Sequence, residues 1–142
     1  MHKHLIFLIL AGNLFAGGLS DMDLKQPEKF NWSAYVDSGD STSDEMVRAE
    51  KGVSILKTRI DGISEEYLAL LKKRGQSEDL KLFVEMQAQW AKAVDAEVSF
   101  IGYGWKGGSG ARAIYPKARM ECYLRRVSEL LELKARAISL NE

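Results

Sequence analysis

The chain has 142 residues, and its 20 lysines and arginines are balanced by 20 aspartates and glutamates. A neutral chain of this length fits one small domain and is not a generic nucleic-acid binder. Its two histidines are His2 and His4 and its one cysteine is Cys122. Most of the chain therefore lacks the residues of Ser–His and Cys–His nucleophiles and of the common zinc sites. No catalytic group, metal or cofactor is expected, and the chain reads as a non-enzyme.

Met1-His-Lys-His is a short basic segment, and Leu5 to Leu10 is apolar, followed by Leu14-Phe15-Ala16 and small residues. This is the pattern of a secretory signal peptide over residues 1–20, with cleavage after Gly18 or Ser20. Gly12 and Asn13 interrupt the apolar run, which is short for a membrane span. The alternative is an uncleaved N-terminal anchor. The expected location is periplasmic or secreted, with no membrane span after cleavage. Removing residues 1–20 takes away Lys3 alone, leaving 19 basic against 20 acidic residues.

Residues 21–42 carry proline and aromatic punctuation at Pro27, Phe30, Trp32 and Tyr35, then Asp37-Ser-Gly-Asp-Ser-Thr. The segment reads as an extended leader without a stable helix. Its aromatics either pin it onto the domain or leave it a mobile tail. Residues 21–45 hold seven acids and two lysines, while residues 111–142 hold seven basic residues and four acids. The two ends are therefore placed to attract each other, or to serve a partner.

The domain proper is expected over residues 43–140. Thr42-Ser-Asp-Glu45 matches a capping box at the start of a first long helix. Its stripe is Met46, Ala49, Val53, Leu56, Ile60, Ile63, Tyr67 and Leu70, spaced alternately by three and four. Lys72-Lys-Arg-Gly75 ends it, with cations near the last carbonyls and a glycine able to take the left-handed cap. A second helix starts with Ser77 as N-cap and Glu78 and Asp79 in its first turn. Its stripe is Leu80, Phe83 or Val84, Gln87, Trp90 or Ala91, Val94, Val98 and Ile101, and it ends near Gly102-Tyr-Gly104. A third helix begins at or before Pro116, a residue suited to a first turn. Its stripe is Met120, Tyr123 or Leu124, Val127, Leu130 or Leu131, and Leu133.

Three helices with one apolar face each and short connections predict an all-α fold, an antiparallel three-helix bundle behind the extended leader. Reflection about residue 75 pairs Tyr67 with Val84 and Ile60 with Ala91. Reflection about residue 110 pairs Val98 with Cys122 and Trp90 with Leu130. Trp90, the largest ring on the stripe, is expected to anchor the core.

The loop from Gly102 to Arg112 holds five glycines, two aromatics and two cations. Tyr, Trp and Arg concentrate binding energy at interfaces, and recognition is often carried by loops on a rigid scaffold. Tyr103, Trp105, Lys106, Ser109 and Arg112 are the candidate binding residues. The alternative is a connecting loop whose aromatics fold back to cap the core. Asp95 and Glu97 form an acidic pair, but nothing nearby supplies the rest of an acid–base site. A solvated face, or a salt bridge to the third helix, is the simpler role.

Ile63-Ser64 with Tyr67, Gln87-x-x-Trp90, Asp95, Gly107-Gly-Ser109 and Cys122 together resemble the family of the N-terminal domain of the LprI lysozyme inhibitor, an exported helical domain. The resemblance covers about residues 43–133. Where the family has Leu-Asn this chain has Ile63-Ser64, and where it has Arg and Cys this chain has Val94 and Val98. The family's N-terminal cysteine is also missing, near Ala49. The resemblance implies a disulfide between the second and third helices in the family; here Cys122 lacks that partner. A further family arginine corresponds to Arg125 or Arg126. The resemblance implies an exported binding protein that inhibits lysozyme or a related cell-wall-degrading enzyme. Other readings are a toxin immunity protein, or a structural or adaptor protein of the envelope.

Overall fold

The computed structural model describes residues 19–105, 108 and 111–140. The expected signal peptide lies almost wholly outside the described residues. Among the described residues no strand occurs, and no helix is long and apolar enough to cross a membrane. The chain divides into two units, one ending at Phe30 and the other running from Asn31.

The first unit contains a short helix, α1 (Asp21–Lys25), and a 3-10 turn, Pro27–Lys29. Ser20 and Asp23 cap α1 reciprocally: the Asp23 amide donates to Ser20 Oγ and the Ser20 amide to Asp23 Oδ2. The second unit opens with α2 (Trp32–Asp37), capped by Asn31, whose Oδ1 accepts from the Ala34 amide. Residues 21–42 are therefore not an extended leader. Asn31 within it and Ser20 just before it supply caps, and local hydrogen bonds suffice for single turns.

α3 (Thr42–Lys73), α4 (Ser77–Tyr103) and α5 (Ala111–Ser139) form the bundle. α3 is capped by Ser41, not Thr42: the Ser41 hydroxyl accepts from the Asp44 amide at 3.2 Å. Its buried row is Ala49, Gly52, Leu56, Ile60, Ile63 and Leu71. Leu71, not Leu70, closes the row. Gly75 has φ +68° and supplies the left-handed reversal the sequence predicts. Ser77 is the first helical residue of α4 and not its cap; Gln76 holds that place and donates from Nε2 to Asp79. Pro116 is internal to α5 and not in its first turn.

α3 and α4 run antiparallel, as do α4 and α5. Gln87 donates to Ser64 Oγ at 2.7 Å, and the Tyr67 and Phe83 rings meet edge-on at 4.8 Å. Phe83 thus takes the place expected of Val84, which is exposed, as is Ala91. α3 and α5 are parallel and pack together more extensively than either does with α4. Lys117 reaches Glu45 at 2.7 Å, Lys134 bonds Glu66, and Arg74 donates to the Ala137 carbonyl at 2.8 Å.

The core differs from expectation in its largest member. Trp32, from the supposed leader, is among the largest fully buried side chains, whereas Trp90 is half-buried. Trp32 lies over Gly52, where a Cβ would stand 3.0 Å from Trp32 Cε3 and 2.7 Å from Met120 Sδ. Trp90 packs against Tyr123, with ring centroids 5.5 Å apart, in place of Leu130. Trp90 sits at the edge of the stripe, and its partner on α5 lies seven residues, about two turns, before the reflected one.

α2 is fixed by charge as well as by its tryptophan. Arg48 of α3 donates to the Tyr35 carbonyl at 2.9 Å and to Ser38 Oγ at 2.6 Å, and its guanidinium lies 5.1 Å from the Tyr35 ring centroid. Lys117 of the basic last helix also reaches Asp37 at 3.4 Å. Hydrogen bonding to Glu45 raises the Lys117 ammonium above its ordinary pKa against the pull of desolvation, and Asp37 adds to the rise. The attraction between the acidic leader and the basic helix is realised here.

Candidate interaction surface

The α4–α5 hairpin is built on a buried cluster of Val94, Val98, Ala118 and Cys122, flanked by Trp90 and Tyr123. Val98 and Cys122, paired by sequence reflection, thus share one core. Burial pushes the Cys122 thiol up, although Arg125 Nη2 donates to its Sγ at 3.3 Å. A thiol of this kind is an inert core residue.

The acidic pair on α4 serves the hairpin. Asp95 accepts from Arg119 and Glu97 from Arg125, each at 2.7 Å. The hydrogen bond from Arg125 holds the Glu97 carboxyl below its ordinary value.

A second, more buried polar group joins all three helices. Arg126 is 7% exposed. Its Nε donates to Gln87 Oε1 at 3.0 Å, its Nη2 also bonds that oxygen, and its Nη1 pairs with Glu129 at 2.9 Å. Gln87 passes the chain on to Ser64 of α3. The guanidinium lies 5.1 Å from the Trp90 ring centroid. One carboxamide therefore bonds α3 through its nitrogen and α5 through its oxygen, which uses both ends of its donor–acceptor pair. Of the two arginines left open by the sequence, Arg126 is the one beside Gln87 and Trp90. Ser64, Gln87, Trp90 and Arg126 meet at this point, and their contacts lock the register of the three helices.

The hairpin narrows at Gly102. A Cβ there would stand 2.0 Å from Tyr115 Cε1, so only glycine lets the α5 ring lie against the α4 backbone. α4 extends through Tyr103, and the Trp105 amide donates to the Gly102 carbonyl at 3.1 Å, closing the helix end. The connection is shorter than the sequence implies: Gly102 and Tyr103 are still in α4, and Arg112 is already in the first turn of α5.

On either side of this narrowing aromatics face solvent. Phe100 is 81% exposed, Tyr103 70% and Trp105 53%. Ile101 and Tyr115 are also exposed, and so is Arg112. Tyr103 and Trp105 do not cap the core. Lys106 and Ser109 lie outside the described residues. Phe100 and Tyr115 are additions to the surface that the sequence reading did not single out. Phe100 lies three residues before Tyr103 and off the core stripe, a spacing that marks a shared helix face.

Two open grooves lie elsewhere. One, of about 310 Å³, runs between α3 and α4 over Phe83 and Gln87. The other, of about 590 Å³, lies at the opposite end of the bundle beside Tyr67, Arg74 and Arg136. Among the described residues there is no group of three or more histidine, cysteine, aspartate or glutamate side chains able to hold a metal. Compared with protein-family models, with characterised proteins and with solved structures, the chain matches none.

Proposed function

We propose that this chain is an exported, non-enzymatic binding protein that engages a protein partner through the tip of the α4–α5 hairpin. The observation that carries the proposal is the outward exposure of Phe100, Tyr103 and Trp105 together on a well-braced hairpin. Large aromatics left in water are unfavourable for a monomer alone and supply most of the energy when an interface covers them. The bracing matters because a rigid support lowers the ordering cost of binding.

The partner proposed is lysozyme or another peptidoglycan-degrading enzyme, which includes the case of a toxin met by its immunity protein. The segment joining α4 to α5 is glycine-rich in sequence and contains Lys106, and Arg112 is exposed in the first turn of α5. Glycan hydrolases present a cleft containing two catalytic carboxylates, to which a cation is complementary. The resemblance of Gln87, Trp90, Asp95, Gly107-Gly-Ser109 and Cys122 to an inhibitor family supports the same assignment. Titrating the purified protein against lysozyme acting on cell walls tests it. Dose-dependent loss of turnover that is abolished in Trp105→Ala is the expected result. Full activity at a large excess of the protein removes lysozyme as the partner and leaves the envelope adaptor reading.

A further inference from the structure

α4 carries a second, largely apolar stripe on an exposed face. Leu82, Met86, Gln89, Ala93, Ala96, Phe100 and Tyr103 follow one another at spacings of four and three in strict alternation, and every one of them is exposed. Leu82 is 63% exposed and Met86 42%. Spacing of this kind is the seam of a two-helix coiled coil and selects a helical partner in preference to a flat one. The buried row of the same helix, Phe83, Val94, Val98 and Gly102, lies apart from it.

We infer that this stripe is a homodimer seam, in which α4 of one copy packs antiparallel against α4 of a second copy about a two-fold axis near Ala93. The two-fold makes the interface self-complementary. No member of the stripe is charged, and Glu85 and Lys92 flank it with one charge of each sign, so nothing on the face repels its own copy. Asp95 and Glu97 are turned to Arg119 and Arg125 and stay out of the seam.

The antiparallel sense follows from size, dipole and end charges. The bulky residues lie at the two ends and the alanines at the middle, so Leu82 and Met86 of one copy face Phe100 and Tyr103 of the other. Helix dipoles favour opposed packing. The acidic first turn of α4, with Glu78 and Asp79, is brought to the end of the other copy where α5 begins with Arg112. At 1.5 Å per residue the stripe is about 32 Å long. A seam of that length covers roughly 500–600 Å² per copy, at the lower edge of specific interfaces. The dimer is therefore weak and concentration-dependent. It rests on the stripe and not on the identity of any enzyme partner, and because it covers Tyr103 it competes with partner binding at the tip.

Sedimentation of the full chain from about 1 to 500 µM brackets affinities of this order. The expected result is a rise from monomer to dimer mass, lost in Ala93→Glu and in Met86→Lys with helical circular dichroism unchanged. In a Cys122→Ala background, a mixture of Met86→Cys and Phe100→Cys proteins should cross-link to each other, and neither to itself. A monomer throughout, or dimerisation undiminished in both charge variants, overturns the proposal. So does cross-linking of each cysteine variant to itself, which means a parallel pair. A monomer that instead co-sediments with phosphatidylglycerol–phosphatidylethanolamine vesicles assigns the stripe to a lipid surface and equally overturns it.

Discussion

The Trp32 indole lies directly over the bare backbone of Gly52, where a Cβ would stand 3.0 Å from the ring and 2.7 Å from Met120 Sδ. Ten residues on, Gly62 has nothing within 4 Å of the same virtual atom. Two glycines on one helix thus have opposite meanings. Gly52→Ala should destabilise by about 1–3 kcal/mol through overpacking. Gly62→Ala should stabilise by about 0.5–1 kcal/mol by relieving the helix-interior cost of glycine. Chemical denaturation of the two variants side by side checks both signs.

Trp32→Ala should cost about 3–5 kcal/mol, the range for a buried aromatic truncated in a core. Trp90→Ala should cost less, because Trp90 is half-buried and keeps one side in water. An equal or larger loss for Trp90 would mean that α2 contributes little to the core.

Val98→Cys should form a disulfide with Cys122 under oxidising conditions, since both positions lie in one buried cluster. The cross-link should add about 3 kcal/mol. Thiol titration reads the outcome: two free thiols after oxidation would show that the Cβ atoms are too far apart.

Replacing Trp105 and Lys106 together by alanine should leave the melting temperature nearly unchanged, as surface changes usually do. Partner affinity should fall more than tenfold, about 1.4 kcal/mol. Early melting with normal binding would move the partner surface away from the tip.

Acid should loosen the bundle through two carboxylates. Hydrogen bonds from Lys134 to Glu66 and from Arg125 to Glu97 hold both pKa values below the ordinary one. A depressed native pKa gives stability that is full above the unfolded value and lost as pH falls through the native value. Stability should therefore decline across and below the usual carboxylate range. Glu66→Gln combined with Glu97→Gln should flatten that decline in pH-dependent urea melts.

How legible these features are in the sequence depends on locality. Lys72-Lys-Arg-Gly75 announces its reversal because a cap is a contact between near neighbours. Asp95 and Glu97 read as bridging across the hairpin because the third helix is rich in cations, but reflection does not name Arg119 and Arg125 as their partners. Ser41 and Thr42 are adjacent hydroxyls, and sequence alone does not choose between them. Trp32 is invisible as core because it lies outside any periodic run, and only the gap at Gly52, twenty residues on, gives it a seat. Phe100 is hidden for a different reason: α4 is apolar along two faces, and a search for one stripe stops at the first.

The extensive pairing of α3 with α5 sets the order of events during synthesis. Glu45 meets Lys117 and Glu66 meets Lys134, partners separated by 72 and 68 residues. These closures carry a large chain-entropy cost and come late. A ribosome that has released α3 and α4 has supplied α3 with its lesser partner alone, and the buried row of α3 waits for the last helix. The main apolar closure of α3 therefore forms only once α5 is present.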